Sequence, residues 1–292
     1  MTLLGVLVVL IAVLVWRARH MRVMTALTLR DRRLGPDGGV VGGEGFVLDR
    51  PGAPAVLLLH GGGDTPQTVR YLAAELHAHG FHVCAPLLPG HGRSIRDFAR
   101  ITADALTNAV RESYAELRRT HDWVAVIGLS MGGALAVQIA ADATDMPALG
   151  LAAPYLALPP RIDWAARLSP LWGLVAPAVR SGDGISVLDP VERERSLAYG
   201  VFTPAALRAL RITVRRAVAA LPHVTSPTLV IQSREDNRVS VADAEHAFAL
   251  LGASEKRLEW VTGAAHIITV DYGRERVIAS LTSWMERHRV SR

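Results

Sequence analysis

Ser130 stands in GLSMGG at 128–133, between an apolar, β-branched run (WVAVI, 123–127) and an apolar helix-forming run (ALAVQIAA, 134–141). Gly-x-Ser-x-Gly at a strand-to-helix turn is a nucleophile elbow. The turn is sharp, so Gly128 and Gly132 must be small, and the serine hydroxyl stands clear of the sheet. It then lies at a helix N-terminus, where unpaired N–H groups and partial positive charge suit a developing oxyanion.

A serine hydroxyl is a poor nucleophile at neutral pH. It needs a general base within hydrogen-bond reach and a carboxylate to orient that base. On a scaffold of this kind the three arrive in the order serine, acid, histidine, each in a loop after a strand. TLVIQ (228–232) is followed by SREDNRVS, which offers Glu235 and Asp236 as the acid; LEWV (258–261) is followed by TGAAHIITVD, which offers His266 as the base. Both loops lie at the carboxyl ends of predicted strands, the edge where such sheets bind ligands. There are eleven histidines, and position alone singles out His266. His77, His79, His82, His246 and His288 fall in helices or a strand and read as surface residues; His223 has no assignable role. His60 and His91 sit in Gly/Pro-rich turns and read as structural. An oxyanion hole needs two backbone N–H donors. One is Met131, next after the serine. The other comes from HGGG at 60–63, where glycine lets the backbone approach closely; Gly62 is the first choice and Gly61 the second.

The elements that must hold these loops read as an alternation. Strand-like runs occur at 55–60, 81–85, 123–127, 148–153, 228–232 and 257–261, and helical spacing at 69–76, 102–119, 134–141, 241–251 and 273–288. That pattern predicts an α/β fold with a mostly parallel sheet flanked by helices. The interruption at 154–222 reads as a helical cap insertion, with no strand signal in its first half. Trp164, Leu168, Leu171, Trp172, Leu174 and Val175 crowd there, either to pack the cap or to wall an acyl site. The core is then 40–153 with 223–292, and 23–39 is a linker rich in Arg and Gly.

Residues 2–16 form an uncharged apolar run, about 22 Å as a helix against a hydrocarbon core of about 30 Å. Arginines follow it and none precedes it, so 1–22 is expected to be an uncleaved N-terminal membrane anchor, with a cleaved signal or an interfacial helix as alternatives. The positive-inside rule then places the catalytic domain in the cytoplasm. The net charge of +5 resides in residues 1–33; the remaining 26 basic and 26 acidic residues cancel, which argues against a nucleic-acid partner. The single Cys84 excludes an internal disulfide and a cysteine zinc cage, and reads as a packed strand residue.

Over about residues 44–289 the chain resembles the α/β-hydrolase superfamily, in its carboxylesterase and monoacylglycerol-lipase branch. LLLHGG, LLPGHGRS, GLSMGG, PTLVIQSREDNRV and GAAHIITVDYGRERV occur in the family's order. The resemblance implies an α/β-hydrolase fold and selects Asp236 over Glu235, because the acid precedes Val239 by three residues. It implies Ser130, Asp236 and His266 as a triad cleaving carboxylic esters through an acyl-enzyme, with Gly62 and Met131 as oxyanion donors and no metal or cofactor. Asp271, which follows the histidine loop, is expected to cap the last helix. Ser233 and Ala265 stand where the family usually has glycine. An aminopeptidase, a thioesterase or an acyltransferase shares the triad, and the cap decides among them. An aminopeptidase needs cap acids for a substrate ammonium, and Asp163, Asp183, Asp189, Glu192 and Glu194 are present but interleaved with arginines. A non-catalytic membrane-associated binding protein is the remaining alternative.

Overall fold

A computed structural model describes residues 2–143, 145–181 and 185–289. Among these residues nine strands are found: β1 Phe46–Leu48, β2 Ala55–Leu59, β3 His82–Ala85, β4 Val124–Leu129, β5 Leu149–Ala152, β6 Val179–Arg180, β7 Val201–Phe202, β8 Thr228–Ser233 and β9 Lys256–Val261. Seven form one sheet in the order β1-β3-β2-β4-β5-β8-β9, parallel except for β1. Every residue of β2, β4, β5 and β8 is buried, and all but β8, whose ends are polar, are continuous apolar runs. β9 is an edge strand and carries the polar pattern KRLEWV.

Side chains alternate across the sheet. Leu57 and Leu59 face a layer holding helices Ala103–Thr120 and Met131–Asp142. Val56 and Leu58 face the opposite layer, with helices Arg70–Ala78 and Arg274–Arg289. The expected core elements are found within one to three residues, and β4 runs on to Leu129 at the elbow.

Three differences from the sequence reading have local causes. β1 is a three-residue antiparallel edge, paired Phe46 to Ala85 and Leu48 to Val83, too short to show a period. β6 and β7 pair within the insertion, Val179 with Phe202, so a two-residue strand does occur in its first half. The N-terminal helix runs Leu3–Leu29, seven residues past the anchor boundary and into the expected linker. Its second half is held: Trp16 Nε1 donates to Val175 O at 2.8 Å, Arg17 to Gly173 O, His20 contacts Ala178 O, and Met24 is buried.

Within 154–222, helices Pro160–Arg167, Ser169–Trp172 and Pro190–Arg195 form the cap over the strand ends. Helix Pro204–Ala220, capped by Thr203, instead returns to the core: Gln138 of helix Met131–Asp142 donates to Thr213 O at 3.1 Å. Two of the histidines read as surface residues, His82 and His288, are buried. Cys84 is half-buried, and burial pushes its thiol pKa up.

Candidate active site

The β4 strand is followed at once by Ser130, whose φ of 55° and ψ of −119° are unusual for a residue with a side chain. The glycines around it are dictated by contact. A Cβ on Gly128 would lie 2.3 Å from Gly132 O, and one on Gly132 would lie 2.3 Å from Leu59 O. The backbone doubles back so tightly that only hydrogen fits, and the serine is driven into the strained corner.

Ser130 Oγ lies 2.7 Å from His266 Nε2, and His266 Nδ1 lies 2.8 Å from Asp236 Oδ2. The loops after β4, β8 and β9 thus bring together three residues separated by up to 136 positions. The side chains of His266 and Asp236 are 5 % and 0 % exposed. Burial alone would raise the Asp236 pKa. The hydrogen bond and charge of His266, with the N–H groups of Arg238 and Val239 at 2.7 and 3.0 Å, outweigh it and leave the pKa lowered. Gln232 adds a donor at 2.6 Å. An ionised carboxylate fixes the Nδ1–H tautomer and leaves Nε2 to accept a proton from the serine. Glu235, one residue earlier, is exposed and accepts from Ser233 Oγ and Gly263 N instead.

The N–H groups of Gly62 and Met131 enter no hydrogen bond among the described residues. A Cβ on Gly62 would sit 3.1 Å from Met131 Sδ, and one on Gly61 would sit 3.3 Å from Ser130 Cβ, so this loop lies directly against the elbow. His60 fixes the loop: Nδ1 is 2.8 Å from Gly61 O, and Nε2 accepts Leu88 N–H at 3.0 Å. His91 Nε2 accepts Gly63 N–H at 3.0 Å. Burial lowers both imidazole pKa values, His91 to about 4, so both rings stay neutral and structural.

Ser233, in place of a glycine, donates to Ala264 O at 2.6 Å and accepts from Glu235 N, tying the acid loop to the histidine loop. Contrary to the sequence expectation, the Asp271 side chain does not cap the last helix; among the described residues it takes no N–H of that helix. Its fully buried carboxylate accepts N–H groups from Leu188, Asp189, Ala265 and Tyr272, so it joins the cap to the residue before His266. The helix begins only at Arg274.

A cavity of about 760 Å³ opens over Ser130, Met131, Gly62 and His266. The cap does line it, but through Ile162, Val187 and Phe202, joined by Leu210 of helix Pro204–Ala220. The cluster that stood out in the sequence faces away: Trp164 is 60 % exposed and Leu171 67 %, with Leu168, Leu174 and Val175 also exposed. Of the cap acids, Asp163 pairs with Arg211 and Arg167, Glu192 with Arg70, and Asp189 with Arg274; Asp183 lies outside the described residues. Sequence reasoning also missed Asp64, a buried cavity carboxyl just after HGGG. Burial pushes its pKa up to about 6 against the pull of His266 and Arg238. Its only sequence signal was an acid following a glycine turn. No group of three or more His, Cys, Asp or Glu placed for a metal ion occurs among the described residues.

The family described as serine aminopeptidase, S33, matches residues 51–272. The chain is 28 % identical over 247 residues to a thermostable monoacylglycerol lipase of Bacillus sp. (strain H-257), covering 85 % of this chain and 96 % of that one. It is 25 % identical over 238 residues to a carboxylesterase of Bacillus subtilis (strain 168), covering 81 % and 94 %. Among solved structures it resembles one from LipS and LipT, two metagenome-derived lipolytic enzymes, with TM-score 0.76, 26 % identity, and coverage of 88 % of this chain and 100 % of that one. The Paleococcus ferrophilus monoacylglycerol lipase superposes with TM-score 0.71 at 21 % identity, covering 84 % and 99 %.

Proposed function

The chain belongs to the serine aminopeptidase S33 family, with an α/β-hydrolase fold, and we propose that it is a serine hydrolase of carboxylic acyl esters, monoacylglycerols or similar short and medium esters. The observation that carries this is the line of hydrogen bonds from Ser130 Oγ through His266 to Asp236, at 2.7 and 2.8 Å, on the floor of a cavity to which the cap brings Ile162, Val187 and Phe202. Relatives described as a monoacylglycerol lipase and a carboxylesterase support the ester class.

In the proposed reaction Ser130 attacks the acyl carbon as His266 Nε2 takes its proton. The N–H groups of Gly62 and Met131 hold the oxyanion, each such donor contributing about 3 kcal/mol or more. His266 then protonates the leaving alcohol, and the acyl group stays on Ser130. Water, deprotonated by the same nitrogen, releases the acid and restores the serine. Asp236 remains ionised and steadies the imidazolium.

The described acids of the cap favour an esterase over a peptidase, and Glu194 does not line the cavity. An aminopeptidase holds a substrate ammonium with carboxylates, yet Asp163, Asp189 and Glu192 are each engaged by arginine. Turnover of monoacylglycerols and p-nitrophenyl esters over aminoacyl anilides supports the esterase reading; the reverse preference overturns it.

Helix Leu3–Leu29 is long and apolar enough to cross a membrane by length and composition, and its apolar half is exposed. In this reading it anchors the enzyme, with the catalytic domain on the cytoplasmic side. The exposed Leu171, Leu174 and Val175 of the cap, beside Trp16, extend the same apolar surface.

A further inference from the structure

Among the described residues the cavity is lined by six arginines, Arg32, Arg70, Arg161, Arg180, Arg193 and Arg238, against two acids, Asp64 and Glu192. Glu192 is already committed: it binds Arg70 at 2.5 Å and Tyr71 at 2.7 Å, and lies 3.3 Å from Arg195. Asp64 is buried, with its pKa raised to about 6, so it opposes the arginines least on the acid side of neutrality.

Arg70 is paired with Glu192, whereas Arg32, Arg161, Arg180 and Arg193 keep their charge available. Arg32 donates to the carbonyls of Ser196 and Ala198, which do not neutralise it. Arg238 Nε donates to Ser186 Oγ at 3.2 Å. Arg161, Arg180 and Arg193 are exposed and enter no ion pair among the described residues. Those three come from separate parts of the cap, helix Pro160–Arg167, strand β6 and helix Pro190–Arg195, yet they converge on one cavity.

This is not the chain's average charge. Beyond residue 33 its 26 basic and 26 acidic residues balance. On the far surface arginines meet acids, as Arg111 does Asp142 and Arg118 does Asp145. A cleft lined by one sign of charge focuses the field and concentrates ligands of the other sign. Guanidinium forks match the oxygens of carboxylate and phosphate.

We infer that the substrate of this site is an acyl ester that itself bears an anionic group, a carboxylate or a phosphate, held by Arg161, Arg180 and Arg193 while the ester reaches Ser130. The inference rests on the ester-hydrolase reading and narrows it from esters in general to charged ones.

Two matched pairs test it with the full-length protein in detergent. One sets mono-p-nitrophenyl suberate against p-nitrophenyl octanoate, and the other sets 1-lauroylglycerol 3-phosphate against 1-lauroylglycerol. The readout is the ratio of kcat/KM, anionic over neutral, in the wild type and in an Arg161→Gln/Arg180→Gln/Arg193→Gln variant. The ratio is expected to fall by about tenfold in the variant, as three exposed charge pairs would give. Raising salt from 0.05 to 0.5 M should lower it in the wild type, because exposed charges are screened. A fall confined to the suberate pair identifies a soluble half-ester, and one confined to the phosphate pair identifies a lipid headgroup. A ratio unmoved by variant and salt in both pairs overturns the inference while leaving ester hydrolysis intact. Failure to cleave any of the four esters overturns the ester reading and the inference with it.

Discussion

The carboxylate of Asp271 accepts the backbone N–H of Ala265 at 2.7 Å, one residue before His266. The same carboxylate takes the N–H groups of Leu188 and Asp189 from the insertion, at 2.9 and 2.8 Å, and that of Tyr272 at 2.9 Å. One buried side chain therefore sets both where the histidine loop stands and where the cap lands on it.

Asp271→Ala leaves these donors without their acceptor, the Ala265 N–H in the interior, and each buried unsatisfied group costs about 1–3 kcal/mol. The variant should lose at least about 3 kcal/mol of stability, read from urea unfolding, and its kcat should drop as Ala265 and His266 shift. Asp271→Asn keeps an oxygen acceptor and should fall between. An alanine variant with wild-type midpoint and kcat would remove Asp271 from this role.

Asp64 gives a pH dependence of unusual sign for a carboxyl. Its pKa is raised from 3.8 to about 6 in the folded chain, so the folded state holds the proton more tightly than the unfolded one. Stability then falls as pH rises across that span, by on the order of 3 kcal/mol in all. Asp64→Asn carries no charge at any pH. Its thermal midpoint should exceed the wild type's at pH 8 and approach it at pH 4, by calorimetry. An equal difference at both pH values would contradict the assignment.

Asp236→Asn removes the charge that steadies His266 while leaving a side chain of the same shape. Activity should fall by about four orders of magnitude, with the fold retained. Glu235→Gln, which alters an exposed side chain bonded to Ser233 and Gly263, should change the rate little. A larger loss from Glu235→Gln would exchange the two residues' roles.

Removal of residues 1–16 takes away the exposed apolar half of the first helix and Trp16, while Met24 keeps its buried place. The shortened chain should leave the membrane fraction and still hydrolyse ester. Protease applied to spheroplasts should spare the body of the full-length chain. Its digestion from outside would reverse the proposed orientation.

Much of this site could be read from the sequence because its chemistry is carried by local signals. The glycines at 128 and 132 mark a turn with no room for a side chain, and the buried strands are unbroken apolar runs. Ser130, Asp236 and His266 each follow a strand of the parallel sheet, so their loops fall at one edge of it. What escaped is what depends on packing between distant segments. Asp64, Gln232 and Asp271 are ordinary polar residues until the fold buries them. Trp164 and Leu171 looked like lining by composition, but helix orientation turns them outward and brings Ile162 and Phe202 to the cavity. β1 and β6 exist only through their partners, Cys84 and Ala85 on one side and Phe202 on the other.

The central claim is that Ser130 is the nucleophile, and a fluorophosphonate probe with ester turnover tests it most directly. The wild-type chain should take up the probe at Ser130 and hydrolyse p-nitrophenyl esters. Ser130→Ala should lose the label and about six orders of magnitude in kcat. A Ser130→Ala protein that still labels, or still turns over ester at the wild-type rate, would contradict the account.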